Sequence, residues 1–198
     1  MSRRVSNLNI ANQLTVLRLV LVPVFLAALL YDGGNQRGWR VAAFVVFAVA
    51  SYTDYVDGQL ARSRNLVTSF GKLADPIADK ALTGAALIGL SLLDQLPWWV
   101  TGLVLVREVG VTALRFWVIR HGVIPASRGG KLKTMLQGLA ISFYVLPLSG
   151  IAATGRAAVM TAAVAVTVVT GVDYVARALT LRQTSDRAAM KRARRAVK

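Results

Sequence analysis

Residues 54–79 read DYVDGQLARSRNLVTSFGKLADPIAD and stand between two apolar runs. Asp54 and Asp57 are three residues apart, and Asp75 and Asp79 are four apart, so on helices each pair shares one face. Two such faces turned toward each other would form one acidic pocket. The stretch therefore predicts two helices with a carboxylate site between them, at the edge of a membrane.

The composition indicates an all-α integral membrane protein. Of the 198 residues 55% are hydrophobic, and the mean hydropathy is +0.53. The formal net charge of +15 would otherwise suggest nucleic acid as a partner, but the basic residues cluster at the ends of apolar segments, so we expect no nucleic acid. The chain has no cysteine and a single histidine, His121, which argues against thiolate chemistry, a histidine metal site and a catalytic triad.

Six segments are long and apolar enough to cross a bilayer, which takes about 20 residues each. We expect one domain, residues 1–182, followed by a basic cytoplasmic tail, residues 183–198. We expect that tail to be a frayed or surface-bound helix, which either binds anionic lipid or is solvated and only sets the topology. The predicted spans are residues 14–31, 39–61, 73–93, 98–119, 132–153 and 157–180.

Basic residues alternate between the connecting segments and predict the orientation. By the positive-inside rule, both termini and all four aspartates lie on the cytoplasmic side. No small-residue cleavage site follows the first apolar run, so we expect it to be a retained anchor. The basic segments are the N-terminus, the tail, the loop with Arg62, Arg64 and Lys72, and the loop with Arg120, Arg128, Lys131 and Lys133.

The four aspartates favour a metal site over a set of structural ion pairs. The nearby cations, Arg62, Arg64 and Lys72, are fewer than the acids and belong to a loop that reaches water. Oxygen ligands suit hard divalent ions such as Mg²⁺ or Mn²⁺. Two such ions can clamp the attacking and leaving oxygens of a displacement at phosphorus.

Small residues beside the acids fit a nucleotide pocket. Gly58 follows Asp57, and Gly71 lies one turn before Asp75, so a nucleotide could approach the backbone there. For Gly58 alone, close helix packing would be the better explanation, but Ala61 and Gly71 strengthen the pocket hypothesis. The predicted nucleotide-binding set is completed by Arg62, whose planar guanidinium suits phosphate.

The pattern D-x2-D-G-x2-A-R-x8-G-x3-D-x3-D is matched without substitution, and the chain therefore resembles the CDP-alcohol phosphotransferases. The resemblance implies a six-helix membrane enzyme that moves a phosphatidyl group from a CDP-linked lipid to an alcohol and releases CMP. It also implies that three aspartates bind the metals and that the fourth, Asp79, assists them and acts as general base. The matching positions are Asp54, Asp57, Gly58, Ala61, Arg62, Gly71, Asp75 and Asp79.

Three further stretches resemble bacterial phosphatidylglycerophosphate synthases, whose acceptor is glycerol 3-phosphate. They are NIANQLTVLRLVLVPVF, with Asn12, Leu14, Thr15, Arg18 and Pro23; REVGVTALRF, with Arg107, Glu108, Leu114 and Arg115; and GKLKTMLQ, with Gly130, Lys131, Lys133, Thr134 and Gln137. Many relatives have proline where Ala11 stands, and some have an acid in place of Phe116.

A glycerol phosphate brings about two negative charges to a site already crowded with acids, so cations must receive it. We predict that its phosphate binds Arg107, Arg115, Lys131 and Lys133. The alternatives are topological charge for the two lysines and pairing with Glu108 for Arg107.

The predicted reaction is direct attack by the sn-1 hydroxyl of glycerol 3-phosphate on the β-phosphorus of CDP-diacylglycerol. One group of rival hypotheses keeps this reaction but changes the acceptor to phosphatidylglycerol, as in a cardiolipin synthase, or to inositol phosphate or serine. Two other hypotheses are that the chain is a membrane cation transporter or a basic membrane scaffold. The resemblance implies a homodimer. The frequent Ala, Arg, Val and Gly indicate a GC-rich bacterial genome, and we expect the chain in the bacterial cytoplasmic membrane. We expect Asp173 to pair with Arg177, four residues later, in preference to a pocket role.

Overall fold

A computed structural model describes the backbone of residues 10–63, 69–118 and 128–196 and, within them, the side chains of residues 13–53, 77–78, 80–118 and 129–184. This part of the chain forms six α-helices and no β-strand, as the all-α prediction requires. The helices are α1 (Ile10–Leu30), α2 (Arg37–Ser63), α3 (Ser69–Leu92), α4 (Trp98–Val118), α5 (Arg128–Val145) and α6 (Ile151–Ala196).

Each helix overlaps one predicted span, but the fifth predicted span, which ends at residue 153, extends beyond the end of its helix. Helix α5 ends at Val145 because Pro147 follows and Gly150 adopts a left-handed φ of 62°, which breaks a helix. Helix α6 continues to Ala196, so it includes most of the predicted basic tail, as the expected helix there requires. Its 46 residues correspond to about 69 Å, more than twice the thickness of a hydrocarbon core.

The connection between α1 and α2 is a tight turn that packs on the end of α3. Asp32, Gly33 and Gly34 have left-handed φ values of 52°, 62° and 73°. A Cβ at Gly34 would lie 2.8 Å from Leu93 Cδ1, so both the backbone conformation and the contact favour glycine there. The turn therefore returns the chain directly beside α1, and the two helices pack along each other.

Helix α1 packs against α2 and α3, while α6 packs against α4 and α5. Successive helices run in opposite directions, so the starts of α1, α3 and α5 share one end of the bundle with the ends of α2 and α4; we call it the site end. The bundle interior is apolar, and its largest fully buried apolar side chains are Phe25, Leu29, Leu87, Leu90, Leu96, Ile141, Val118 and Val145.

The outer surface of the bundle is also apolar. Large exposed hydrophobic residues occur along α1, α2, α4 and α6, for example Val20, Val45, Val106 and Val172. Within the described residues, two helical stretches are long and apolar enough to cross a membrane, Gln13–Gly34 and Ile151–Thr184. A helical protein that is apolar on both its inner and outer faces is adapted to a membrane.

A buried arginine joins three elements at the opposite end, which we call the far end. Arg40 of α2 donates from Nε to the carbonyl oxygen of Val145 (2.9 Å) and from Nη2 to Gln95 Oε1 (2.8 Å) and to the carbonyl oxygen of Tyr144. It thereby caps the last turn of α5, where carbonyl groups lack helical partners. The Arg156 guanidinium lies 4.9 Å from the centroid of the Tyr144 ring.

Candidate active site

The carboxylate motif lies on the backbone of two neighbouring helices. Asp54 and Asp57 belong to α2, and Asp75 and Asp79 belong to α3, which contacts α2. The predicted helical setting of both pairs is therefore confirmed. The side chains of all eight motif positions, including Gly58, Ala61, Arg62 and Gly71, lie outside the described ones, so their predicted roles stay predictions. Among the side chains that are described, no group of three or more potential metal ligands occurs.

A cavity of about 720 Å³ lies inside the bundle, next to these backbone positions. Its wall includes Ser51, three residues before Asp54, and Lys80, which directly follows Asp79. The cavity therefore approaches both halves of the carboxylate motif. Helices α1 to α5 all contribute to its wall, and the polar lining residues are Arg18, Ser51, Lys80, Thr83, Glu108, Thr112, Lys133, Thr134 and Gln137.

Glu108 of α4 connects three cationic side chains at one side of this cavity. Its Oε2 lies 3.4 Å from Lys80 Nζ of α3, and its Oε1 accepts hydrogen bonds from Arg107 Nη1 (3.0 Å) and from Lys133 Nζ of α5. The side chains of Glu108 and Lys133 are only 15% and 7% exposed, so water screens this contact weakly. The cluster ties α3, α4 and α5 together and holds Lys133 at the cavity wall.

Arg107 points away from the cavity and toward α6. Its Nη2 donates to Thr170 Oγ1 (3.1 Å), and a Cβ at Gly171 would lie 3.3 Å from Arg107 Cγ, so the small residue lets the arginine approach α6. Its pairing with Glu108 is the alternative that the sequence left open. Arg107 lines a separate apolar groove of about 550 Å³ between α4 and α6.

The structure brings only one of the four predicted phosphate ligands to the cavity wall. Lys133 is buried there, whereas Arg115 and Lys131 are exposed and do not line the cavity. Their role as phosphate ligands stays a prediction.

Sequence reasoning gave no binding role to four residues that the structure places in the cavity wall. They are Arg18, which is completely buried, Lys80, Glu108 and Gln137. Two signals were available: a charged residue inside the apolar first helix, and the spacing of four residues between Lys133 and Gln137, which puts both on one face of α5. The predicted pairing of Asp173 with Arg177 is confirmed, at 2.9 Å.

The described charges of the cavity wall favour an anionic ligand. Three cationic side chains, Arg18, Lys80 and Lys133, and one carboxylate, Glu108, belong to the described part of the cavity wall. Phosphate monoesters carry a matching charge, and lysine and arginine are their usual ligands. A cavity with cationic side chains in its wall, beside the paired carboxylates of the motif and inside a bundle with an apolar surface, suits an enzyme that handles phosphate-containing substrates at a membrane.

Comparison with known proteins identifies the family. The family model described as CDP-alcohol phosphatidyltransferase matches residues 8–169. The chain belongs to the CDP-alcohol phosphatidyltransferase family and is a phosphatidyltransferase enzyme. Enzymes of this family generally use divalent metal ions. Because the chain belongs to a family of enzymes, the transporter and scaffold hypotheses are rejected.

Several curated bacterial proteins are similar over most of the chain. A probable phosphatidylglycerophosphate synthase of Mycobacterium tuberculosis is 61% identical over 171 residues, which cover 86% of this chain and 82% of that protein. A CDP-diacylglycerol--glycerol-3-phosphate 3-phosphatidyltransferase of Bacillus subtilis is 37% identical and covers 85% of this chain and 94% of its own length. A CMP-forming cardiolipin synthase of Streptomyces coelicolor is 36% identical over 72% of this chain and 66% of its own length.

Proposed function

We propose that this enzyme transfers the phosphatidyl group of CDP-diacylglycerol to the sn-1 hydroxyl of glycerol 3-phosphate, giving phosphatidylglycerophosphate and CMP. The observation that carries the proposal is the group of positive charges in the cavity wall beside the carboxylate motif, on Arg18, Lys80 and Lys133. A small dianionic acceptor fits that charge. The names of the M. tuberculosis and B. subtilis relatives support the same acceptor.

The acceptor phosphate binds at the cationic wall of the cavity in this proposal. Lys133 contacts it directly, because its ammonium group is already held at the wall by Glu108. Arg107 acts through Glu108, whose carboxylate it shares with Lys133. Arg115 and Lys131 are exposed near the site end, where their charges would draw an anionic acceptor in from water.

The carboxylate motif supplies the other half of the site. Its donor set consists of oxygen atoms, as Mg²⁺ or Mn²⁺ prefers, so the residue types fit two such ions. When bound, these ions would polarise the phosphoryl oxygens and stabilise charge on the leaving group. We propose Asp54, Asp57, Asp75 and Asp79 as metal-binding residues, and Asp57, Gly58, Ala61, Arg62 and Gly71 as the contacts of the CDP-lipid.

The reaction is a single displacement. The sn-1 oxygen forms a bond to the β-phosphorus, the bond from that phosphorus to the oxygen it shares with the α-phosphorus breaks, and CMP leaves with that oxygen. Asp79 takes the proton of the attacking hydroxyl. The chain has no cysteine, and the cavity wall, as far as its side chains are described, contains no histidine, so direct attack is simpler than a covalent enzyme intermediate.

We propose that all six helices cross the bacterial cytoplasmic membrane, with both termini and the site end in the cytoplasm. The apolar outer surface supports this placement, as do four exposed aromatic residues at the far end, where an aromatic belt would contact the opposite interface. A site at the cytoplasmic boundary lets the lipid tails stay in the bilayer while the charged acceptor arrives from water. These aromatic residues are Tyr31, Trp39, Trp98 and Trp99.

The proposed homodimer rests on the family resemblance. Light scattering of the detergent-purified protein, corrected for bound detergent, would give twice the protein mass of 21.3 kDa if the proposal holds. A protein mass of one chain would contradict it.

The function is tested with purified enzyme, CDP-diacylglycerol, Mg²⁺ and a panel of acceptors. We expect CMP release and phosphatidylglycerophosphate with glycerol 3-phosphate, and neither with inositol phosphate or serine. Product with phosphatidylglycerol alone would make the chain a cardiolipin synthase, the function named for its S. coelicolor relative, and would refute our acceptor. A parallel preparation of Asp75→Asn controls for contaminating activity.

A further inference from the structure

A buried amide in the cavity wall has an acceptor atom that no described residue uses. Gln137 of α5 is 4% exposed and lines the cavity. Its Oε1 is fully buried and has no hydrogen-bond partner among the described residues. Buried polar atoms without a partner are rare in folded proteins, and each one requires an explanation. A hydroxyl group of a bound ligand would supply the missing donor.

The position of Gln137 relative to Lys133 indicates which part of a ligand it would meet. Four residues separate them on α5, so they share one face at an axial spacing of about 6 Å. Lys133 offers a positive charge to a phosphate, whereas the neutral amide suits an uncharged hydroxyl. Gly138, the next residue, also lines the cavity, and a Cβ there would meet nothing within 4 Å, so this part of α5 leaves room in the cavity.

We propose that Gln137 accepts a hydrogen bond from the C2 hydroxyl of the acceptor and thereby selects glycerol 3-phosphate. This inference rests on the proposed function. In that acceptor, the C2 hydroxyl lies between the phosphate, which Lys133 binds, and the C1 hydroxyl, which reacts. Gln137 is thus a specificity-determining residue: without the C2 hydroxyl, its buried oxygen stays without a donor.

The test compares two acceptors that differ only at C2. The substrates are sn-glycerol 3-phosphate and propane-1,3-diol monophosphate, which keeps the phosphate and the reacting hydroxyl. Full-length wild type, Gln137→Leu and Gln137→Met are purified, and kcat/KM for CMP release is measured with each acceptor. Ser142→Ala is the matched control, because Ser142 lies on the same helix outside the cavity and donates to the Gly138 carbonyl oxygen.

Wild type and Ser142→Ala should prefer glycerol 3-phosphate by about 10- to 100-fold, the usual effect of one buried hydrogen bond. In Gln137→Leu the ratio of the kcat/KM values for the two acceptors should fall to within about threefold of unity, because activity on glycerol 3-phosphate is lost. Gln137→Met, which is unbranched like glutamine, gives the same test if the leucine variant does not fold.

Three results would overturn the inference. An equal loss on both acceptors in the folded variants would mean that Gln137 is structural, and equal rates with both acceptors in wild type would mean that C2 is not recognised. Wild type that uses neither acceptor would refute the proposed function itself, and the inference with it.

Discussion

Replacing Glu108 by glutamine should lower the stability of the folded protein and at the same time raise its affinity for a phosphate-containing ligand. The substitution keeps the shape of the side chain but removes the charge that Lys80, Arg107 and Lys133 share. Lys133, which is 7% exposed, then loses the Glu108 carboxylate beside its buried charge. Lys80 contributes less, because it is 33% exposed.

The expected loss of folding stability follows from these exposed fractions. Removing one partner of a buried ion pair costs about 3–5 kcal/mol, and we take the lower value, about 3 kcal/mol, because Lys80 is partly solvated and Arg107 keeps its hydrogen bond to Thr170. For a chain of this size, that corresponds to a decrease in the melting temperature of about 6–12 °C.

The change in charge predicts the second effect. Neutralising Glu108 removes one negative charge from the cavity wall. A bound dianion should therefore restore more stability to the variant than it adds to wild type. Melting temperatures in detergent, measured with and without glycerol 3-phosphate, test both effects together.

Asp173→Asn provides the matched control for this experiment. It also converts an acid to an amide and removes an ion pair, but the side chains of Asp173 and Arg177 are 44% and 53% exposed. Such a pair contributes about 1 kcal/mol or less, so we expect a small change that does not depend on the ligand. If Glu108→Gln melts like this control, or if glycerol 3-phosphate protects it no more than wild type, the reasoning about the cavity charge is wrong.

Three further predictions address the two ends of the bundle. Arg40→Met should lower the melting temperature by several degrees through loss of the α5 cap while leaving KM for the acceptor unchanged; a changed KM would contradict a purely structural role. Gly34→Ala should destabilise the protein by about 1–3 kcal/mol, because the φ of Gly34 is left-handed and a Cβ there would lie close to Leu93. Gly38→Ala is the control and should not destabilise it, because nothing lies within 4 Å of a Cβ at Gly38. Equal melting temperatures of the two variants would refute this prediction. Asp75→Asn should lower CMP release by at least about 100-fold without changing helix content by circular dichroism, and EDTA should abolish wild-type activity; full activity in either case would argue against the metal site.

The sequence predicted the elements of the fold because each one depends on local pattern. Apolar runs of sufficient length indicated six helices, and the structure contains six in its described part. The spacing of four residues between Asp173 and Arg177 predicted their ion pair, since such neighbours share a helix face. Apolar length alone does not set the end of a helix, because α6 continues past its apolar segment through alanines and arginines, which also favour a helix.

The eight-position carboxylate motif was likewise readable without a structure, because its information lies in the order and spacing of residues along two adjacent helices. That motif was enough to indicate a phosphatidyltransferase. It did not indicate how the acceptor is held, because that half of the site is built by other helices.

Only the tertiary structure decided the cavity. Glu108 meets Lys80 and Lys133 across 28 and 25 residues of sequence, and helical periodicity carries no information about contacts at such distances. The same holds for Arg18 of α1 and Gln137 of α5, which line one cavity although α2, α3 and α4 lie between them in the chain. Which charged residue faces the cavity, and which, like Arg107, turns to another helix, depends on how the helices pack against each other.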